Sequence, residues 1–552
     1  MLNKFNFHEI RAFISNLSKS MNKDALAAYL QSYAEKTGVR DYKEKAAQEL
    51  VCIAGPDEII PDVYKEYRLI IRDGFLFLFS NLCLKRFISI FIDQALMDEN
   101  AETGERLVKI AEQVPTLHKL GQIIARNRNI DPVFKKRLIH LENTSYGTDL
   151  SSIKELIDEQ INSYIDIFSI SVDDKILSQA SVGAVTGFTW TMPDSDKMLR
   201  GVFKVIKPGV KEFLEEEFAI LDKLAVFFDK NRESYPLKDF GFIKTFKEIK
   251  QALQEEVNLC GEQTHIRHAR CFYKKEDKVK IPELLCFSGQ NVTAMELING
   301  KKITDFPMSW SERRECAKIL FRAMIWKPLF SSKEVSLFHG DPHAGNIYAV
   351  KTGLLKSDYE NPGFKHEIMP VLLDWSLAGS FSRSCRVKII RLILAVFLND
   401  ENRIFKSVRA VAENIKDSDF SLRVKKVINN IQKSSEYAEQ GFLGRAFYFI
   451  DQLALNGVCF SKDMMLFRKA FFTLDGVLND LDPGFDMDKY LFRLVKDIFI
   501  QDLPKRWLYS MMPHMDCSEN YSSLVSTREL QVFLMQFSLV RWFSGWRSYA
   551  LI

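Results

Sequence analysis

The amino-acid sequence predicts an α+β fold in two lobes, with a helical N-terminal extension and a largely helical second lobe. Three observations predict it. Residues 1–170 carry helix-type hydrophobic spacing, as in NKDALAAYLQSYAEK. Short β-type runs such as GVFKVIKPGV mix with helical segments between about 171 and 305. From about 306 onward the chain reads as helical again, interrupted by SLFHG and IMPVLL, each leading to an acidic residue. The expected division is a helical region over 1–105, a second helical extension over 106–170, a mixed lobe over 171–305 and a helical lobe over 306–552.

The bulk properties narrow the class. A chain of 552 residues, 47% hydrophobic and 27% charged, can bury a large core and is globular in composition. The formal charge is only +4, and no basic cluster is interleaved with aromatics, so nucleic acid is not an expected partner. The nine cysteines stand singly without a CxxC pair, which predicts neither a zinc ribbon nor a disulfide framework and suits a reducing compartment. The N-terminus shows no secretory signal. The greasiest run, FLFLFSNLCL over 75–84, is too short to span a bilayer. The apolar, aromatic tail over 533–552, interrupted by Arg541 and Arg547, reads as a docked or interfacial helix.

The chemistry concentrates in FHGDPHAGNIYAV. His339, Asp341 and Asn346 stand in the register of the protein-kinase catalytic loop, H-x-D followed by four residues and Asn. Phosphoryl transfer wants a carboxylate near the attacking oxygen and an amide oxygen on a metal, because catalysis there is mostly positioning and charge neutralisation. Gly340 and Gly345 are expected to let the backbone turn tightly. In LLDWS an apolar run delivers Asp374 to a strand end, the place of the Mg²⁺-binding aspartate in kinases. The expected fold is therefore protein-kinase-like. His265 and His268 form an HxxH pair, but hard oxygen donors point to Mg²⁺ and not to a transition metal.

Lys204, in GVFKVIKP, is costly to bury unless it meets an anion, which predicts a nucleotide phosphate and a glutamate as partners. Glu262, Glu256 and Glu217 are the candidates for that glutamate. VTAMELING reads as a strand followed by a connector, where Glu296 and Leu297 would offer backbone groups to adenine.

With these residues in place, the chain resembles the UbiB/AarF family of atypical kinases, linked to ubiquinone and lipid metabolism. Lys119, Gly121 and Gln122 look like the family's KxGQ signature. Ala180 and Ser181 sit where it has an alanine-rich phosphate loop. Lys204 with Pro208 and Gly209 is similar to its lysine strand, and Glu256, Asn258 and Glu262 to its ExD-plus-Glu segment. Asp341, Asn346 and Asp374 fall on its HxDPHxGN and DFG positions. The resemblance implies ATP or ADP with Mg²⁺, a quinone-like or other lipid ligand, no protein substrate, and a cytoplasmic protein in peripheral contact with membrane. Three departures bear on turnover: a depleted alanine-rich loop, Asn258 in place of the ExD aspartate, and Trp375–Ser376 after Asp374. Two other functions stay open, a small-molecule phosphotransferase of the aminoglycoside or choline kinase type and a nucleotide-binding pseudokinase scaffold.

Overall fold

The computed structural model describes residues 7–37, 39–60, 62–117, 149–179, 182–193, 197–235, 241–274, 278–351, 367–416, 418–431, 434–532 and 535. The chain forms two compact units. The first comprises Met1–Gly261 and Leu285–Leu297, and the second Glu262–Leu284 and Ile298–Ile552. This grouping joins the helical N-terminal region to the sheet, where the sequence suggested separate segments.

In the first unit, helices α1 (Phe7–Leu17), α2 (Lys23–Thr37), α3 (Val39–Ala54), α4 (Arg68–Asn81), α5 (Leu84–Leu96) and α6 (Thr103–Ala111) share one apolar cluster. α5 is its spine: Phe87, Ile88, Phe91, Ile92 and Ala95 repeat at helical spacing and are all buried. Helix α7 (Leu150–Phe168) follows and lays Ile153, Ile157 and Ile161 against the sheet. Each of these isoleucines, fully buried, contributes about 1.5–3 kcal/mol of transfer free energy.

The sheet is antiparallel in the order β1-β2-β3-β4, with β1 Ser171–Gln179, β2 Gly183–Thr191, β3 Met198–Ile206 and β4 Val292–Glu296. Phe188, Trp190, Phe203 and Phe287 fill the space under α7, and Phe188 stacks on Phe203 with ring centroids 4.0 Å apart. A second cluster joins Val182 and Ile206 to α8 (Val210–Lys230) and α9 (Phe242–Glu256). Residues 177–179, which the resemblance sets in the depleted alanine-rich loop, belong instead to strand β1. The apolar segment KVKIPELLCF forms no strand: it has isolated bridge residues at Lys280, which pairs with Val371, and at Leu284, and Pro282 has no amide hydrogen to extend a ladder.

The second unit opens with α10 (Leu259–Tyr273), of which Glu262 onward belongs here. α11 (Trp310–Phe321) begins at a capping box formed by Ser309 and Glu312. Two small sheets carry the loops of interest. One has the order β5-β7-β8, with β5 Lys301–Lys302, β7 Ile347–Lys351 and β8 Ile368–Leu372; the other pairs β6 Val335–His339 with β9 Ala378–Ser382. β7 and β8 are antiparallel neighbours, so the polar segment between them is a hairpin connection, of which 352–366 lie outside the described residues. Helices α12 (Arg383–Leu398), α13 (Glu401–Val411), α14 (Phe420–Ile431), α15 (Ser435–Glu439), α16 (Phe442–Leu455), α17 (Lys462–Leu481) and α18 (Met487–Ser510) complete the unit. Its core runs through Phe321, Phe338, Phe381, Phe447, Phe467 and Phe471. Among the described residues, no helix is long and apolar enough to cross a membrane.

Candidate active site

Two strand registers bring the loops of Asp341 and Asp374 together. His339, the last residue of β6, stands opposite Ala378 of β9, and Ile347, the first of β7, stands opposite Leu372 of β8. The loop over 340–346 therefore runs beside the loop over 373–377. Backbone bonds tie them: Gly340 N–H donates to the Leu377 carbonyl at 2.8 Å and Leu373 N–H to the Asn346 carbonyl at 2.8 Å. Asn346 is thus fixed one residue away from Asp374.

His339 is buried and holds both loops at once. Its Nδ1 accepts from the Asp341 amide at 3.1 Å, so Nε2 carries the proton and donates to the Leu373 carbonyl at 2.8 Å. Burial holds its basicity below the ordinary histidine range, against the opposing pull of Asp341 and Asp374. It is a neutral structural bridge. His343 is smaller in reach: its Nδ1 accepts from the Gly345 amide at 3.0 Å and caps the short turn Ala344–Asn346.

The glycines act for a different reason than the sequence suggested. Neither Gly340 nor Gly345 has a left-handed backbone. A side chain at Gly340 would meet Leu466 of α17 at 2.9 Å and the Leu377 carbonyl at 3.0 Å, and one at Gly345 would meet His343 at 2.8 Å. Close approach, and not turn conformation, requires them.

Asn346 donates through Nδ2 to the Asp341 carbonyl at 3.1 Å, which leaves Oδ1 as the amide atom able to reach a cation. Asp374 adopts φ +51°, a left-handed conformation costing of order 1 kcal/mol or more for such a residue. Its neighbours hold it there. Trp375 is fully buried, donates through Nε1 to the Leu372 carbonyl at 3.2 Å and meets His339 edge-on with ring centroids 4.8 Å apart. The Trp375 carbonyl bonds His265 Nδ1 at 2.9 Å, and the Ser376 amide donates to Asp374 Oδ1 at 3.2 Å. One carboxylate and one amide oxygen fit Mg²⁺, which takes few protein ligands and keeps water and phosphate oxygens. Among the described residues, no group of three or more His, Cys, Asp or Glu is arranged to hold a metal ion. His265 instead secures the Trp375 backbone.

Glu262 also lies in the second unit, buried in the first turn of α10, where the helix dipole favours a carboxylate. In the first unit, Lys204 occupies the middle of β3, opposite Val185 of β2 and Thr293 of β4. It is not an edge-strand residue. Strand alternation turns it away from the face where Phe203 and Val205 pack under α7. Glu256 closes α9, two residues before Asn258, whose Oδ1 accepts from the Gly261 amide at 2.9 Å and caps the next helix. Glu217 is removed as a partner for Lys204, because it is buried in an ion pair with Arg86.

Glu296 and Leu297 end the first unit's last segment. The Leu297 amide donates inward to the Arg200 carbonyl at 3.4 Å, whereas Ala294 bonds Leu285 and Ser288 off the outer edge. By the two-residue period, Glu296 turns its backbone groups to that same edge, which favours it over Leu297 for an adenine contact. Lys119, Gln122, Ala180 and Ser181 lie outside the described residues. One residue escaped sequence reasoning: Lys469 of α17, whose Nζ is 3.7 Å from Asp341 Oδ1. No motif marks it, since 128 positions separate it from its partner.

An antiparallel sheet in one unit, followed by a helical unit carrying H-x-D, Asn and a strand-end Asp, defines an atypical kinase-like fold. Residues 141–408 match the ABC1 atypical kinase-like domain. That match and the relatives that follow support a UbiB/AarF-type atypical kinase domain in this part of the chain. The matched segment begins after Lys119 and Gln122. A probable protein kinase UbiB of Actinobacillus pleuropneumoniae is 23% identical over 308 residues, covering 54% of this chain and 53% of the relative. One of Xanthomonas campestris pv. campestris is 23% identical over 414 residues, covering 72% and 70%. The chain thus spans about half the length of the first of these relatives. Among solved structures, a complex of Rv3197 with erythromycin from Mycobacterium tuberculosis is 15% identical, covers 66% of this chain and 87% of its own, and has a TM-score of 0.40.

Proposed function

We propose that the protein binds Mg·ATP or Mg·ADP and acts as an atypical kinase or ATPase in ubiquinone or other lipid metabolism, and not on protein substrates. The observation that carries this reading is the frame in which His339 and Trp375 fix Asp341, Asn346 and Asp374. Asn346 and Asp374 would hold Mg²⁺, which neutralises phosphate charge when bound. Asp341 serves as the proton acceptor for the attacking hydroxyl. Lys204 takes the phosphates with Glu262 or Glu256 as its carboxylate partner. Ala180 and Ser181 offer a phosphate loop, Glu296 meets adenine with Leu297 beside it, and Lys119 and Gln122 guard the acceptor side.

Peripheral contact with a lipid surface is supported by α18. Ile500, Leu503 and Trp507 of this helix, with Met511 just past its end, recur at helical spacing and are all exposed, with the exposed Lys496 and Lys505 beside them. An apolar stripe with a tryptophan and flanking lysines suits an anionic interface. A Leu503→Asp, Trp507→Glu variant should sediment less with anionic vesicles; undiminished sedimentation would remove this surface from the reading.

The central test is a thermal-shift titration with Mg·ATP and Mg·ADP, beside Asp374→Asn and beside phosphate release with and without quinone-like phenols. Nucleotide should stabilise the parent and not the variant. An absent shift in the parent would sink the reading. Rapid transfer to a soluble hydroxylated acceptor would favour the small-molecule phosphotransferase. A shift without turnover would favour a scaffold, the reading to which the uncharged Asn258 lends support.

A further inference from the structure

Helix α17 reaches the catalytic loop with a charge that the loop motif lacks. Lys469 Nζ stands 3.7 Å from Asp341 Oδ1. Its backbone is held in place: Leu466, one turn earlier, packs over Gly340, and Phe467 meets Phe338 and Phe381 edge-on with centroids 4.9 and 5.3 Å apart. Thr473 Oγ1 donates to the Lys469 carbonyl at 3.0 Å. The Lys469 side chain, in contrast, is 44% exposed, while Asp341 is 14% exposed. The separation exceeds the roughly 2.7–2.9 Å of a charge-assisted hydrogen bond. The pairing therefore orients the carboxylate without locking it. The loop's own nearest base, His339, is kept neutral by burial and cannot supply this charge.

We propose that Lys469 is a positioning residue for phosphoryl transfer, fixing which oxygen of Asp341 meets the acceptor. The inference rests on the Mg·ATP reading. In the step concerned, the acceptor oxygen bonds to the γ-phosphorus as the bond from that phosphorus to the ADP oxygen breaks. ADP keeps the electron pair of the broken bond, and the acceptor proton passes to Asp341. Lys469 makes no bond in this step. It sets the angle at which the carboxylate waits, and misplacement of such a group costs on the order of 100-fold in rate.

The test uses the full chain with Lys469→Met and Lys469→Arg, measuring phosphate release from Mg·ATP and the thermal shift with Mg·ADP. Lys469→Met should lower kcat by about 10- to 100-fold, with KM for ATP and the Mg·ADP shift within about twofold of the parent. Lys469→Arg should recover most of the rate, since it restores the charge. A Lys469→Met enzyme as fast as the parent overturns the inference and leaves the Mg·ATP reading standing. So does an arginine variant as slow as the methionine one, or loss of the Mg·ADP shift together with kcat. A parent that shifts with Mg·ADP but releases no phosphate overturns the inference and keeps nucleotide binding. A parent with neither response sinks both.

Discussion

Where the N-terminal helices meet α8, the chain buries charge. Arg86, 8% exposed, pairs with Glu216 and with the fully buried Glu217, and Glu217 in turn accepts from the Thr116 amide at 2.9 Å. Burial alone would lower the basicity of Arg86, yet the two carboxylates more than offset it, while burial raises Glu217. Around the loops of Asp341 and Asp374 the chain buries neutral polar groups instead, the His339 imidazole and the Trp375 indole. Both devices pin a backbone segment, but they should fail differently. A neutral scaffold loses packing when cut. A charged one leaves an orphaned ion when half of it is removed, and tolerates loss of both halves.

The largest expected effect is at the neutral scaffold. Trp375→Ala removes a fully buried side chain that also supports the left-handed Asp374, and should cost about 3–5 kcal/mol in chemical denaturation. The Mg·ADP thermal shift should shrink with it. A cost below about 1 kcal/mol would show that Asp374 is held by other means.

Next comes the charged anchor. Glu217→Gln should cost about 3 kcal/mol, because Arg86 keeps its charge with only Glu216 and carbonyl oxygens, including Gln113 at 2.8 Å, to meet it. The double variant Arg86→Met, Glu217→Leu should regain most of that loss. If the double variant is less stable than the single one, the charge pair is a net stabiliser, and the contrast between the two regions dissolves.

The sequence made the second region far more legible than the first. Asp341, Asn346 and Asp374 are close in sequence to the strands that deliver them, so β-type runs and a fixed spacing expose them. Lys204 was readable because a lysine in an apolar run is unusual. Glu217 was legible only as an acidic residue on an amphipathic helix; its partner lies 131 positions away, and no local rule links them. β1 was missed because SVDDKILSQ is an outer strand with no fully buried position, so hydrophobic alternation is weak. The burial of Trp375 was equally hidden, since spacing reveals the Asp before it and not the Tyr273 and His339 rings that pack against the indole.

A third charged group lets the contrast be sharpened by pH. Lys207, just after β3, is 2% exposed, and burial pushes its ammonium down to about 8. The unfolded chain therefore binds more protons than the folded one between about pH 8 and the ordinary lysine value of 10.5. Stability linked to this group rises with pH across that window and is lost again on falling through pH 8. The slope is at most about 1.4 kcal/mol per pH unit. Lys207→Met should remove this component, so the parent should gain on the variant from pH 8 to 10.5. Parallel stability curves would show that Lys207 stays charged in the fold.

The smallest effect should come from Ser376, which stands at the glycine position of the kinase D-F-G motif that Asp374 begins. The left-handed residue of this loop is Asp374, and Ser376 is not among the residues with positive φ. What Ser376 supplies is an amide to Asp374 Oδ1, and glycine has that amide too. Ser376→Gly should then cost only about 0.5–1 kcal/mol through the added freedom of the unfolded chain, with the Mg·ADP shift unchanged. Turnover should stay within a few-fold of the parent, because the strained position and its tryptophan anchor are untouched. A tenfold rise in turnover would mean that the loop must move during catalysis, and that the buried Trp375 holds it too tightly.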